Sequence, residues 1–228
     1  MGCAQVQAGN EVLNPNFFIG NIQGIILRWW EAGRLTAAGN FQDGGPFGIG
    51  GIGNGVNANV TIVPGVVNNR PVARYNGVNS ATTTNTFSAN NNFSCFIVSK
   101  LAAAGGVYVG FCNAVATNQL LVSNAGENLA CFDNATQPTS NPIDNHTAFT
   151  VVGVICTAGT CVFYQNGVVV PTAGGGNIGN LTNLINFGAV IGVFSAFDIA
   201  ELTLYSAALT ANELARLTEY FRAKYNLF

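Results

Sequence analysis

The sequence predicts an all-β protein, a two-sheet antiparallel jelly-roll sandwich with one C-terminal α-helix. Three observations lead there. Short runs rich in Val, Ile, Phe and Tyr recur between Gly and Asn turn signals from Asn59 onward, as in a sandwich and unlike an alternation of strands and helices. No helical segment separates them before Thr210. Residues 148–170, AFTVVGVICTAGTCVFYQNGVVV, form a β-meander by themselves. Thr157-Ala158-Gly159-Thr160 punctuates its apolar runs first, then Asn166-Gly167, a pair suited to the positive φ angles of a type I′ turn. The runs are β-branched and short, so they are expected to be inner strands packed against a second layer.

Taken in order, residues 1–22 mix Asn, Gln and Gly with isolated apolar residues and show no sustained period. They read as an N-terminal arm. With few charges to solvate it, the arm carries Leu13, Phe17, Phe18 and Ile19, which are expected to order by packing on a neighbouring subunit or a scaffold protein. It has no basic region followed by an apolar one, as a secretory signal would. Met-Gly-Cys with Val6 also departs from the myristoylation pattern.

The remaining residues, 23–228, read as one jelly-roll domain. Residues 24–35 bring an apolar run with Trp29 and Trp30, and 43–55, DGGPFGIGGIGNG, form a Gly-rich loop. That loop lacks the Lys-Ser/Thr ending and the following helix of a phosphate cradle. Strands are expected in NVTIVPGVV, RPVARYNGV, FSCFIVSKL, GVYVGFC and NQLLVSN, then in the meander, then in AVIGVF (189–194) and IAELTLY (199–205). At Thr210 the pattern changes. Thr210 and Glu213 make a capping box, Leu209 and Leu214 a hydrophobic staple, and Leu214, Leu217 and Phe221 one face of a helix over 211–224. Glu213, Arg216, Glu219, Arg222 and Lys224 read as its solvated face.

Composition limits the function. At 228 residues with 49% hydrophobic content the chain fills one domain core. Only 8% of residues are charged, against about 25% in typical soluble proteins, so some thirty asparagines make the surface polar but nearly uncharged. A net charge of −2 with eight scattered basic residues provides no footprint for nucleic acid. No stretch reaches the ~18 apolar residues of a membrane-spanning helix. Weak charge repulsion suits a fixed part of an assembly.

RPVARYNGV, the YQNGVVV hairpin and above all FDIAELTLYSAALTANELARLTEYFRAKYNL resemble the laminin-G-like branch of the concanavalin A-like lectin/glucanase superfamily, over about residues 25–228. The resemblance implies a jelly roll with the terminal helix packed on one edge or face, a buried aromatic at Trp30 and a structural role for Glu201. It also implies loops able to hold calcium through carboxylates and carbonyls. Calcium is thus the one cofactor left open, with Asp133 and Asp144 as its first candidates.

The superfamily includes glycosidases, which need two carboxylates about 5 Å apart for retaining hydrolysis. The Glu-x-Asp-x-x-Glu device is absent. In the nearest approach, Asp198 and Glu201 fall on opposite faces of a regular strand. His146, the sole histidine, has no Gly-x-Ser-x-Gly partner and reads as a solvated turn residue. The six cysteines show no C-x-x-C spacing, which leaves structural zinc without sequence support. Cys156 and Cys161 would face each other across the hairpin as a disulfide candidate, and the others read as buried thiols. Asn-x-Ser/Thr sites begin at Asn59, Asn92, Asn134, Asn145 and Asn180, about as many as the composition gives by chance.

The expected function is a non-enzymatic structural or adhesive module on a large assembly, either a virion decoration or fibre protein or an extracellular filament subunit. Its partners would be further copies of itself, a scaffold or a capsid protein, at a virion surface or in an extracellular assembly. The alternative is a carbohydrate-binding lectin for cell-surface glycans, with Trp29, Tyr75 and Tyr108 as stacking platforms. A divergent glycosidase ranks last.

Overall fold

The computed structural model describes residues 26–32, 61–77, 81–82, 87–103, 119–123, 128–132, 137–179, 181–183, 186–187, 189–190, 193–194 and 196–228. The expected arm with Leu13, Phe17, Phe18 and Ile19, the Gly-rich loop 43–55 and the expected strand at 106–112 lie outside them.

In chain order the first strands are β1 (Ile26–Glu31), β2 (Thr61–Val67), β3 (Arg70–Asn76), β4 (Ala81–Thr82), β5 (Phe87–Ala89) and β6 (Phe93–Leu101). Next come β7 (Gln119–Ser123), β8 (Asn128–Phe132), β9 (Thr139–Pro142), β10 (Thr150–Thr157), β11 (Thr160–Gln165) and β12 (Val168–Val170). The last are β13 (Thr172–Gly174), β14 (Leu181–Asn183), β15 (Asn186–Phe187), β16 (Ala189–Val190), β17 (Val193–Phe194) and β18 (Ala196–Tyr205), before the helix α1 (Ala211–Tyr225). An eight-stranded antiparallel sheet runs β12-β11-β10-β6-β18-β3-β2, with β1 also on β18, and a four-stranded sheet runs β13-β9-β8-β7.

One core cluster joins the two sheets: Tyr75, Phe93, Ile97, Val152, Phe163 and Leu202 of the large sheet pack with Leu129 and Cys131 of β8. A second lies between the other face of the large sheet and the helix, and contains Val72, Phe96, Val151, Tyr205, Leu217 and Phe221. The molecule is thus layered sheet, sheet, helix. This explains why β6, β10 and β18 are buried along nearly their whole length, where a sandwich strand with one solvated face would alternate.

Turn chemistry fixes the hairpins. Asn166 and Gly167 both have positive φ, as a type I′ turn requires. Asn68 and Asn69 do the same between β2 and β3. The β10–β11 turn tightens to Ala158-Gly159, because Thr157 and Thr160 already pair across the ladder. Two expectations change at this level. The last meander run, β12, is an edge strand with Val168 and Val169 exposed, and only Val170 reaches the core between the sheets. AVIGVF is not one strand but two short ones, β16 and β17, which pair antiparallel with each other.

The helix starts as its sequence dictates. The Glu213 N–H donates to the Thr210 hydroxyl, the Thr210 N–H donates to the Glu213 carboxylate at 2.7 Å, and Leu209 and Leu214 pack at the same end. It ends at Asn226, whose left-handed conformation directs its N–H to the Arg222 carbonyl. No helix among the described residues is long and apolar enough to cross a membrane.

Candidate functional site

The two carboxylates nearest to a glycosidase pair share a strand, so their surroundings come first. A register shift between Ile199 and Glu201 in the β18–β6 ladder interrupts the alternation. Phe197, Ile199, Leu202 and Leu204 face the second sheet, while Ala200 packs in the helix-side cluster and Glu201 bonds to the helix. Asp198 is on that same side, paired with Arg74. The expected placement on opposite faces is therefore corrected by a bulge, which no regular-strand argument can anticipate.

Sharing a face does not make the two a working pair, because each is held by its own cation. Arg74 grips Asp198 with two bonds of 2.8 Å, Nε to Oδ1 and Nη2 to Oδ2, the bidentate geometry in which an ion pair is strongest. Glu201 is fully buried. Its Oε1 accepts from the Tyr220 hydroxyl at 2.9 Å, and its Oε2 accepts from Lys224 Nζ at 2.8 Å and the Tyr225 hydroxyl at 2.6 Å. Lys224 Nζ also donates to the Tyr220 hydroxyl at 2.7 Å and lies 3.1 Å from Glu31 Oε1. Arg70 adds a second cation, 3.9 Å from Glu31, with its Nε donating to the Lys224 carbonyl. Two carboxylates and two cations thus balance within the layer between sheet and helix. Burial, reinforced by the Glu201 charge, pushes the Tyr220 and Tyr225 phenols far above their ordinary range. They remain neutral donors and anchor the helix.

This network corrects the reading of the helix charges. Arg222 and Glu219 do form a solvated pair at 2.6 Å, but Lys224 and Glu213 are buried. Charge alone places Lys224 at the surface. Its position was legible, since Leu217, Tyr220, Phe221, Lys224 and Tyr225 fall at i, i+3, i+4, i+7 and i+8, the period of a buried stripe.

Of the stacking candidates, Tyr75 is corrected. It is 1% exposed and stacks on Phe197 with ring centroids 4.5 Å apart, because alternation along β3 turns it inward with Ala73. Tyr108 and the side chains of Trp29 and Trp30 lie outside the described residues. Asp133 lies outside them too. Asp144 is exposed, and its carboxylate accepts from the His146 and Thr147 N–H groups and, at 2.8 Å, from the Thr147 hydroxyl. The bond from Thr147 holds the Asp144 carboxyl below its usual range. His146 Nδ1 sits 3.4 Å from the same carboxylate, and Asn145, the start of a glycosylation motif, is fully buried. Asp144 thus caps a turn, and among the described residues no group of three metal-ligating side chains includes it.

Cys156 and Cys161 are opposite one another in the β10–β11 ladder, with Cα atoms 4.2 Å apart, and form a disulfide. The ring it closes is short, so the chain-entropy stabilisation is only about 2 kcal/mol.

Hydrogen-bonding side chains gather at the two ends of the sandwich. At one, the Gln165 amide donates to the Asp144 carbonyl beside His146 and Thr147. At the other, three loops join. The Ala158 N–H donates to Asn92 Oδ1, the Gly159 N–H to the Asn91 carbonyl, the Ile178 N–H to the Gly159 carbonyl, and the Thr160 hydroxyl to Asn177 Oδ1. Asn92, Thr160 and Asn177 are exposed there. Amides and a hydroxyl line the second end, whereas the first also carries the exposed Asp144 carboxylate and His146.

No family model matches the chain, and no curated protein matches its sequence. Solved structures do match. Trypanosoma rangeli sialidase aligns with a TM-score of 0.56 at 12% identity, over 84% of this chain and 32% of the sialidase. The Botulinum neurotoxin type G receptor-binding domain aligns at 0.51 and 11%, over 86% of this chain and 51% of that one. The binding domain of Paraclostridial Mosquitocidal Protein 1 aligns at 0.55 and 11%, over 86% and 52%. The chain therefore spans between a third and about half of the structures it matches, and the likeness is one of fold: a β-sandwich.

Proposed function

We propose that the chain is a non-enzymatic adhesive module of the laminin-G-like branch, with carbohydrate as its ligand class. The observation that carries this reading is the occupation of both candidate catalytic carboxylates. Arg74 holds Asp198, and Lys224 with two tyrosines holds Glu201 beneath the helix. A general acid must be free to give up a proton at the scissile bond, and neither group is. What the fold exposes instead is a set of neutral amides and hydroxyls at the end built from Asn92, Thr160 and Asn177, the complement of an uncharged polyhydroxylated ligand. Structural neighbours that include a sialidase in complex with sialic acid and a toxin's receptor-binding domain support the reading as precedent for the fold, though function resides in the site.

A second reading, a structural subunit of a virion or extracellular assembly, is favoured by one observation. The edge strand β12 exposes Val168 (69%) and Val169 (54%), and an apolar edge with open backbone groups is a surface for strand addition. Incubation of the isolated protein on a glycan array, with its mass followed by light scattering, separates the two. Sugar binding by a monomer supports adhesion, and self-association without sugar binding supports assembly.

A further inference from the structure

The sandwich core holds a group of side chains with chemistry that the adhesive reading does not use. Cys156 and Cys161 lie opposite each other in the large sheet, and Cys131 comes from β8 in the facing sheet. All three are buried, and their sulfurs lie within 4.8 Å of one another. Cys95, on β6 in the same core cluster, is a fourth buried sulfur and a free thiol like Cys131. Its thiol is pushed up by burial and further by the neighbouring Cys131.

We propose that the reduced protein binds one Zn(II) ion between its sheets through Cys131, Cys156 and Cys161, and that the Cys156–Cys161 disulfide is the metal-free, oxidised state of the same site. Sulfurs bound to one tetrahedral zinc lie roughly 3.8 Å apart, given Zn–S bonds of about 2.3 Å. A metal therefore spans the gap from Cys131 to the hairpin pair, and sulfur ligands suit zinc.

The chemistry balances. Two molecules of a small thiol such as glutathione pass two electrons and two protons to the disulfide, giving two protein thiols and one glutathione disulfide. Zn(II) then displaces one proton from each of the three thiols, the protons passing to solvent, and forms one Zn–S bond to each resulting thiolate. Sequence spacing could not show this site, since its ligands come from two sheets.

The test uses the full chain carrying Cys3→Ser and Cys112→Ser, so that only the four core cysteines remain. Reduced with a phosphine under anaerobic conditions and freed of reductant, it is titrated with Zn(II) against a chromophoric chelator. The proposal expects one equivalent bound by the reduced protein, none by the oxidised protein, and affinity lowered by more than about tenfold in Cys131→Ser. If Cys131→Ser does not fold, the melting temperature of the reduced parent decides: Zn(II) should raise it, and should leave that of the oxidised parent unchanged. No stoichiometric zinc in the reduced protein, equal affinity in Cys131→Ser, or an unchanged melting temperature would overturn the proposal.

Discussion

Lys224 Nζ lies 2.8 Å from Glu201 Oε2, and neither side chain is exposed to solvent. The pair joins the C-terminal helix to the central strand of the large sheet. Removing one partner leaves the other charge buried, so Lys224→Ala should cost about 3–5 kcal/mol. Lys224→Met combined with Glu201→Gln removes one charge of each sign and should cost less than the sum of the single changes. Urea unfolding of Lys224→Ala, of Lys224→Met and Glu201→Gln singly, and of the double variant measures both. Additive losses would show that the two side chains do not act as a pair.

The same helix distinguishes packing from surface charge. Phe221 is fully buried in the helix-side core, whereas Arg222 pairs with Glu219 in solvent. Phe221→Ala should cost about 3–5 kcal/mol, and Arg222→Ala less than about 1 kcal/mol. Thermal melts of both variants check the difference.

Gly153 lies directly across from Phe96 on the helix-side face, and a Cβ there would come within 2.1 Å of the Phe96 ring. The glycine lets the ring lie over the backbone. Gly153→Ala should destabilise by about 1–3 kcal/mol through overpacking, while the paired change with Phe96→Leu should recover part of the loss. Denaturant midpoints of the single and double variants report it.

Four tyrosines set the alkaline limit of the fold. Burial raises the phenols of Tyr75, Tyr205, Tyr220 and Tyr225, with neighbouring Glu201 adding to the last three. A raised folded-state pKa means that the stabilisation is fully present below the unfolded value of about 10 and is lost as pH rises beyond it. Ultraviolet titration should therefore show these four ionising only together with unfolding. Reversible ionisation of all six tyrosines in the folded protein near pH 10 would contradict the burial.

How much of this was legible differed by residue. The capping box at Thr210 and Glu213 and the Asn166-Gly167 turn were readable because their physics is local, contained within four residues. The pairing of Cys156 with Cys161 was readable because the hairpin sets the register. Lys224 was misplaced because its charge was weighed above its position in the stripe that includes Leu217 and Phe221. The shared face of Asp198 and Glu201 depends on a bulge set by pairing with β6, and the approach of Cys131 to the hairpin depends on how two sheets stack. Neither leaves a mark in local sequence. Tyr75 could have been placed by alternation, since it stands two residues from Ala73, and both face the core.

On the proposed function, this sandwich holds carbohydrate without cleaving it, because Asp198 is committed to Arg74 and Glu201 to Lys224. The most direct measurement is capture on a glycan array followed by mass spectrometry of the retained glycan. The glycan should be retained and recovered intact after prolonged incubation. Recovery of a shortened glycan, or retention of none, would contradict it.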